Sequence, residues 1–280
     1  MVTDNQTNFL FLADSLPLKY GRFYHELESL LQTHHVEFGL LPKTNDIWAV
    51  DYMPIQISEN LFVRFKYNPS YLKGKKFQES ISDTDTICKE ITCKTKKTKI
   101  LLDGGNVVKC VDKVIITNRV FSENPELEQS VLIEKLKKTF KVNKLFVIPR
   151  QPGDFTGHAD GMIRFYDSST LLINDYKKES KKFVKDFENA IAITGLATQT
   201  IPYNPYENKK MKDASGIYIN YLEMERLVIV PTFGMDEDDE VVELFTKMFS
   251  HKIVCSLNCK DIAVEGGILN CISWNIMKKL

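Results

Sequence analysis

The sequence predicts an α/β protein: one closed, five-fold pseudo-symmetric domain of ββαβ-like units, with helices outside and strands about a central axis. Three observations carry this. A hairpin pattern recurs five times along the chain, amphipathic helices lie between its copies, and a short apolar strand follows each helix. Self-similarity at a fixed period is the mark of a repeat architecture.

The hairpins come first in the argument. DYMPIQISENLFVRF from Asp51, DGGNVVKCVDKVIIT from Asp103, DGMIRFYDSSTLLIN from Asp160 and SGIYINYLEMERLVIVP from Ser215 each set two strands around a short polar turn, a hairpin signal. A fifth copy, EGGILNCISWNI from Glu265, is cut short by the end of the chain. Anchored on Asp51, Gly105, Gly161, Gly216 and Gly267, the intervals are 54, 56, 55 and 51 residues. Helices are expected over 21–35, 130–142, 180–193 and 239–250, where apolar residues recur at i, i+3, i+4 and i+7. After them come the strands VEFGLLP, KLFVIP, ATQTIPY and KIVCSL. Residues 66–99 have no helical stripe and are rich in Lys, Thr, Ser and Asp, so they are expected to form a long irregular excursion within a single domain spanning 1–280.

Composition narrows the classes of partner. The 280 residues are 43% hydrophobic and 26% charged, with 37 basic and 37 acidic side chains. A net charge of zero gives no global field toward nucleic acid or an anionic membrane, and the lysines at 94–99 and 177–182 read as solvated faces. No apolar run reaches the roughly 20 residues of a membrane span, and the first residues read as neither secretory signal nor transit peptide. Cysteines 88, 93, 110, 255, 259 and 271 lack zinc-like CxxC spacing. Reduced thiols and a cytoplasmic location are expected.

Four stretches carry candidate chemistry. In GHADGMIRF, His158 and Asp160 are two residues apart, which on an extended segment places both on one side. The other histidines, 25, 34, 35 and 251, fall on or beside helices and read as surface or capping groups. In NDIWAVDYMP, Asp46 reads as a turn cap and Trp48 as a core or site residue, while Asp51 is the repeat counterpart of Asp160. Two carboxylates at equivalent points of two repeats would face each other across the axis and suit a planar cation. Asn220 is the polar residue of the apolar stretch GIYINYL, and Cys271 in VEGGILNCIS is either a packed thiol or a nucleophile. Arg164 reads first as half of a structural salt bridge.

Five pieces in order, WAVD-Y-x-P (48–54), L-D-G-G-N (102–106), G-H-A-D-x-x-x-R-F (157–165), Y-I-N-Y (218–221) and E-G-G-x-x-N-C-I-S (265–273), resemble the agmatine deiminase and Porphyromonas-type peptidyl-arginine deiminase family. That family belongs to the penteins, five-bladed α/β propellers that modify guanidines. The resemblance implies a cysteine-dependent C–N hydrolase acting on an agmatine-like or other small guanidine, without metal or cofactor. It implies that Cys271 attacks, His158 moves protons, and Asp51 and Asp160 hold the guanidinium. Trp48, Asn220, Asp103 and Asn270 would line the substrate. The family pattern has Arg where Val50 stands, Glu at Asp103 and His at Asn270, differences that bear on which guanidine is used. Amidino transfer through the same covalent intermediate and a non-catalytic pentein binding module are the alternatives, and a homodimer is left open.

Overall fold

The computed structural model describes residues 1–210 and 212–278. It contains five three-stranded sheets, each with the same internal order. In every sheet the first and second strands run antiparallel and the second and third run parallel. The parallel step requires a crossover, and a helix supplies it. Blade 1 holds Phe9–Ala13 and Glu37–Leu41 around the helix Gly21–Thr33. Blade 2 holds Ile55–Ser58, Leu61–Lys66 and Thr95–Leu101. Blade 3 holds Val108–Cys110, Lys113–Thr117 and Lys144–Ile148, with the helix Gln129–Phe140. Blade 4 holds Ile163–Phe165, Thr170–Asn174 and Ala197–Ile201, with Lys181–Thr194. Blade 5 holds Leu222–Glu223, Leu227–Thr232 and Ile253–Asn258, with Asp238–Met248. This is the closed five-bladed α/β propeller that the repeat predicts.

The four expected helices form because each presents one narrow apolar face. Phe23, Leu27 and Leu31 are buried on the first, and Leu132, Leu136 and Phe140 on the second. Phe183, Phe187 and Ile191 are buried on the third, and Val241 and Phe245 on the fourth. Spacing by four keeps these side chains on one stripe, and each fully buried one contributes about 1.5–3 kcal/mol. Ser180 caps the third helix by accepting from the Phe183 N–H.

The fifth repeat is completed, not truncated. Its strand Trp274–Ile276 pairs antiparallel with Phe9–Ala13, so the N-terminal strand fills the place the chain end leaves empty. The 66–99 excursion is likewise more regular than expected. It contains short helices at Lys75–Gln78 and Thr84–Glu90 before the strand Thr95–Leu101. The helix Thr84–Glu90 is fixed by Asp83, whose carboxylate accepts from the N–H groups of Asp85 and Thr86. Only Thr84, Ile87 and Cys88 are buried on it. Two turns are too short to display a stripe.

The stretches around Asn220 and Cys271, expected as strands, and the extended segment expected at His158 and Asp160 are instead turns and loop, and the opening of the first repeat is a helical turn. Asp51 lies in Ala49–Tyr52 and Cys271 in Leu269–Ile272, both one helical turn long. Asn220 lies in a turn just before Leu222–Glu223, and His158 and Asp160 lie in the loop before Ile163. Chain crossing from one blade to the next must change direction at the axis, and a tight turn does this where a strand cannot. No helix of the described residues is long and apolar enough to cross a membrane.

Candidate active site

The five links between blades converge on the axis, and each carries a polar residue there. Asp51 comes from the link between blades 1 and 2, Asp103 and Gly105 from the next, then His158 and Asp160, then Asn220, then Asn270 and Cys271. Hydrogen bonds tie neighbouring links together. The Gly105 N–H donates to Asp51 Oδ1 at 3.0 Å, and the Asp160 N–H to the Gly105 carbonyl at 3.0 Å. The N–H groups of Asn270 and Cys271 both donate to Asn220 Oδ1, at 3.1 and 3.3 Å.

Glycines permit this convergence. A Cβ on Gly104 would sit 1.9 Å from the Val50 carbonyl oxygen, and one on Gly105 would meet Asp51 Oδ1 at 2.6 Å and His158 Nδ1 at 2.7 Å. One on Gly267 would fall 2.4 Å from the Trp48 ring and 2.9 Å from Cys271 Cβ. The paired glycines in both motifs are therefore there for close approach of backbone and side chains.

A cavity of about 680 Å³ opens at this end of the axis. Cys271, His158, Asp160, Asp51, Trp48 and Asn220 all line it, so the structure brings six of the eight expected residues to one space. Cys271 Sγ lies 3.4 Å from Asn220 Oδ1 and 3.8 Å from Asp160 Oδ2. The Asp160 Oδ2 atom also accepts from Asn270 Nδ2 at 2.7 Å and Asn220 Nδ2 at 3.1 Å. His158 is held between two carboxylates, with Nε2 2.9 Å from Asp103 Oδ2 and Nδ1 3.5 Å from Asp51 Oδ1.

The other two expected residues stand behind the wall. Asp103 stands one layer back from the cavity, its Oδ2 meeting His158 Nε2 at 2.9 Å and accepting from the Tyr71 hydroxyl at 3.0 Å, both of these partners lining it. Asn270 faces Asp160 on one side and Arg164 on the other, against a second cavity of about 430 Å³. The Arg164 salt bridge that the sequence suggests is made to Asp4, at 2.6 Å.

Burial sets the electrostatics. Desolvation, with the carboxylates of Asp160 and Asp51, pushes the Cys271 thiol well above its ordinary pKa. Burial works against the His158 imidazolium, but Asp51, Asp103 and Asp160 together outweigh it and raise the group to about 10. Burial also raises Asp51 and Asp160, with His158 opposing it in both. Asp46, read from sequence as a turn cap, does accept from the Trp48 N–H at 3.0 Å, yet it also lines the cavity, and burial lifts it to about 7.

Several lining residues escaped sequence reasoning. Tyr67 and Tyr71 come from the excursion between the second and third strands of blade 2, and Phe155 from the loop before His158. Tyr71 packs edge-on to both Phe155 and the His158 ring, with centroids 5.6 and 6.1 Å away. The pair of tyrosines beside Pro69 was the available signal, but no periodicity linked it to the repeat.

Known proteins resemble this chain in both sequence and fold. The Porphyromonas-type peptidyl-arginine deiminase family model matches residues 21–276. Two bacterial proteins provisionally named agmatine deiminases are similar at low identity. The one from Photobacterium profundum is 22% identical over 226 residues, covering 69% of this chain and 62% of that protein. The one from Marinomonas is 21% identical over 212 residues, covering 64% of this chain and 58% of that protein. The match thus spans less than two thirds of either relative. The agmatine deiminase structure from C. jejuni superposes with a TM-score of 0.80 at 18% identity, over 100% of this chain and 96% of that one. A family match over nearly the whole chain, on a propeller whose five links meet in one polar cavity, places the protein in the Porphyromonas-type peptidyl-arginine deiminase family.

Proposed function

We propose that this protein is a guanidine-modifying hydrolase that releases ammonia through a covalent thiouronium on Cys271. The observation that supports it most is the set at the axis: a thiol, an imidazole between the carboxylates of Asp51 and Asp103, and the further carboxylate of Asp160 beside the thiol. A guanidinium offers five N–H donors and no acceptor. Asp51 and Asp160 would bind it from two sides and fix its central carbon near Sγ, providing orientation and charge stabilisation.

The resting thiol is protonated, because burial first and then the nearby carboxylates disfavour a thiolate. A bound guanidinium would offset those charges and favour ionisation, so the substrate itself activates the nucleophile. The thiolate then adds to the guanidinium carbon, giving a neutral tetrahedral adduct. His158, as imidazolium, donates its proton to one amino group, and the C–N bond breaks to release ammonia. Neutral His158 next takes a proton from water as the oxygen adds to the thiouronium carbon. Collapse of this second adduct breaks the C–S bond, restores the thiolate and yields a ureido product. Asp103 and Tyr71 would hold the imidazole in place from behind.

The cavity rim supports a substrate with a cationic tail. Asp46, Asp154, Glu179, Asp213 and Glu265 line it against Lys210 and Lys212, and Lys212 is tied to Glu265 at 2.6 Å. Among the described residues, no arginine lines the cavity to meet a substrate carboxylate. Agmatine-like guanidines fit this better than free arginine. Ammonia release across a panel of guanidines, beside Cys271→Ala, tests the proposal. Release from a cationic-tailed guanidine, reduced to background in the variant, is expected. Release that survives the substitution removes Cys271 as the nucleophile.

A further inference from the structure

We propose that Arg164 and Asp4 are positioning residues that act through Asn270 to hold the Asp160 carboxylate facing Cys271. The proposal rests on the reading of Asp160 as a guanidinium-binding group. Its basis is a continuous chain of contacts that leaves the active-site cavity and ends on the N-terminal segment.

Asp160 Oδ2 receives Asn270 Nδ2 at 2.7 Å. A primary amide has a donor end and an acceptor end of nearly equal shape, so its orientation is set by its partners. Asn270 has a partner at each end. Its Oδ1 accepts from Arg164 Nη1 at 2.9 Å. Guanidinium only donates and carboxylate only accepts, so the amide has a single satisfied orientation between them. Arg164 is in turn fixed by Asp4 Oδ2 at 2.6 Å from Nη2 and by the Tyr221 carbonyl at 3.0 Å from Nη1, with its guanidinium 4.6 Å from the centroid of the Tyr221 ring. The other Asp4 oxygen accepts from Lys109 Nζ at 2.6 Å.

The place of this chain explains why it is needed. Asp160 lines both cavities, while Arg164, Asn270 and Asp4 line only the one behind. The chain is therefore the partition, with open volume on its far side. Without Arg164, the Asn270 amide is free to turn into that volume and leave Asp160 with Asn220 alone. Charge points the same way. Asp160 faces His158, Asp51 and Cys271 in front and Arg164 behind. Arg164 faces Asp4 and Glu223, and Glu223 is already paired with Lys252 at 2.6 Å.

The test compares two alkylating probes on Cys271. Chloroacetamidine is a planar cation that needs the carboxylates, whereas iodoacetamide is neutral and of similar size. The ratio of their rates reads the state of Asp160 without a known substrate. Asp160→Asn sets the floor of that ratio. Arg164→Met is expected to lower the ratio about tenfold, as loss of a charged hydrogen bond implies, and Asp4→Asn to lower it by about threefold. Arg164→Lys, which still only donates, is expected to recover most of it. Wherever a guanidine is turned over, KM should rise more than kcat falls in the same order. A merely structural role would slow both probes equally, so an unchanged ratio in folded Arg164→Met overturns the proposal. If that variant does not fold, Asp4→Asn decides alone, and an unchanged ratio there is equally fatal. Network-sensitive labelling with no turnover of any guanidine overturns the hydrolase reading only. A wild-type ratio that Asp160→Asn does not lower removes Asp160 as a cation site, and this proposal with it.

Discussion

His158 illustrates how the charge of a single residue is set by its surroundings. An imidazole buried in an apolar place loses its proton, yet here three carboxylates reverse that outcome and raise it to about 10. It is therefore cationic at neutral pH and ready to donate. Activity that needs this acid should decline as pH approaches 10. Asp103→Asn removes one stabilising anion, so the alkaline limb of the kcat profile should move to lower pH by about one unit. His158→Ala should lower kcat by about 10²–10⁴-fold. The same group predicts a trend in stability. Its folded pKa lies above the ordinary imidazole value near 6.5, so its contribution is complete below about 6.5 and is lost as pH rises toward 10. The raised Asp51 acts in the same direction. Chemical denaturation at pH 6 and pH 9.5 should show a loss that is smaller in His158→Asn.

At the level of elements, the candidate site is carried by the short links between blades, and these were the least legible in the sequence. The helices Gly21–Thr33, Gln129–Phe140, Lys181–Thr194 and Asp238–Met248 fall within two residues of the expected bounds. Each repeats a buried position every fourth residue, which is a signal that sequence displays directly. The links have no such period, because they are held by contacts with other links. Asp51 leans on Gly105 and Cys271 on Asn220, partners 54 and 51 residues away. Their residues were legible through repeat register and motif, while their conformation was not. Asn270 shows the limit: its neighbourhood to Cys271 suggested a substrate contact, but a residue next in sequence on a helical turn points elsewhere. The glycines make a sharp prediction here. Gly267→Ala would place a methyl against Trp48 and Cys271, and Gly105→Ala would place one between Asp51 and His158. Both should fold with a lowered melting temperature and lose at least about tenfold in kcat/KM, since small displacements of positioned groups are costly. Full activity in both would show that the links tolerate more slack than these distances allow.

At the scale of the whole molecule, the ring is closed by its two ends. The strand Trp274–Ile276 pairs with Phe9–Ala13, and Trp274 also reaches blade 2, where its Nε1–H donates to the Pro54 carbonyl at 2.8 Å and its ring packs 5.9 Å from Phe62. Asp4 closes the other side of the same seam, binding Lys109 of blade 3 and Arg164 of blade 4. Trp274→Ala should therefore cost about 3–5 kcal/mol, the usual range for a large core aromatic. The acid response of the seam follows from Asp4. Burial opposes its charge, but Lys109 and Arg164 prevail and lower its carboxyl to about 2. A folded pKa below the ordinary aspartate value near 3.9 means stability that is present above about pH 4 and lost as pH falls toward 2. Asp4→Asn removes that contribution at neutral pH and with it this part of the acid loss. Urea unfolding at pH 7, 4 and 2 should give the variant a lower stability than wild type at pH 7 and 4, with the two converging at pH 2. A constant gap down to pH 2 would mean that Asp4 stabilises the ring by shape alone, and that its charge is not what ties the N-terminal segment to blades 3 and 4.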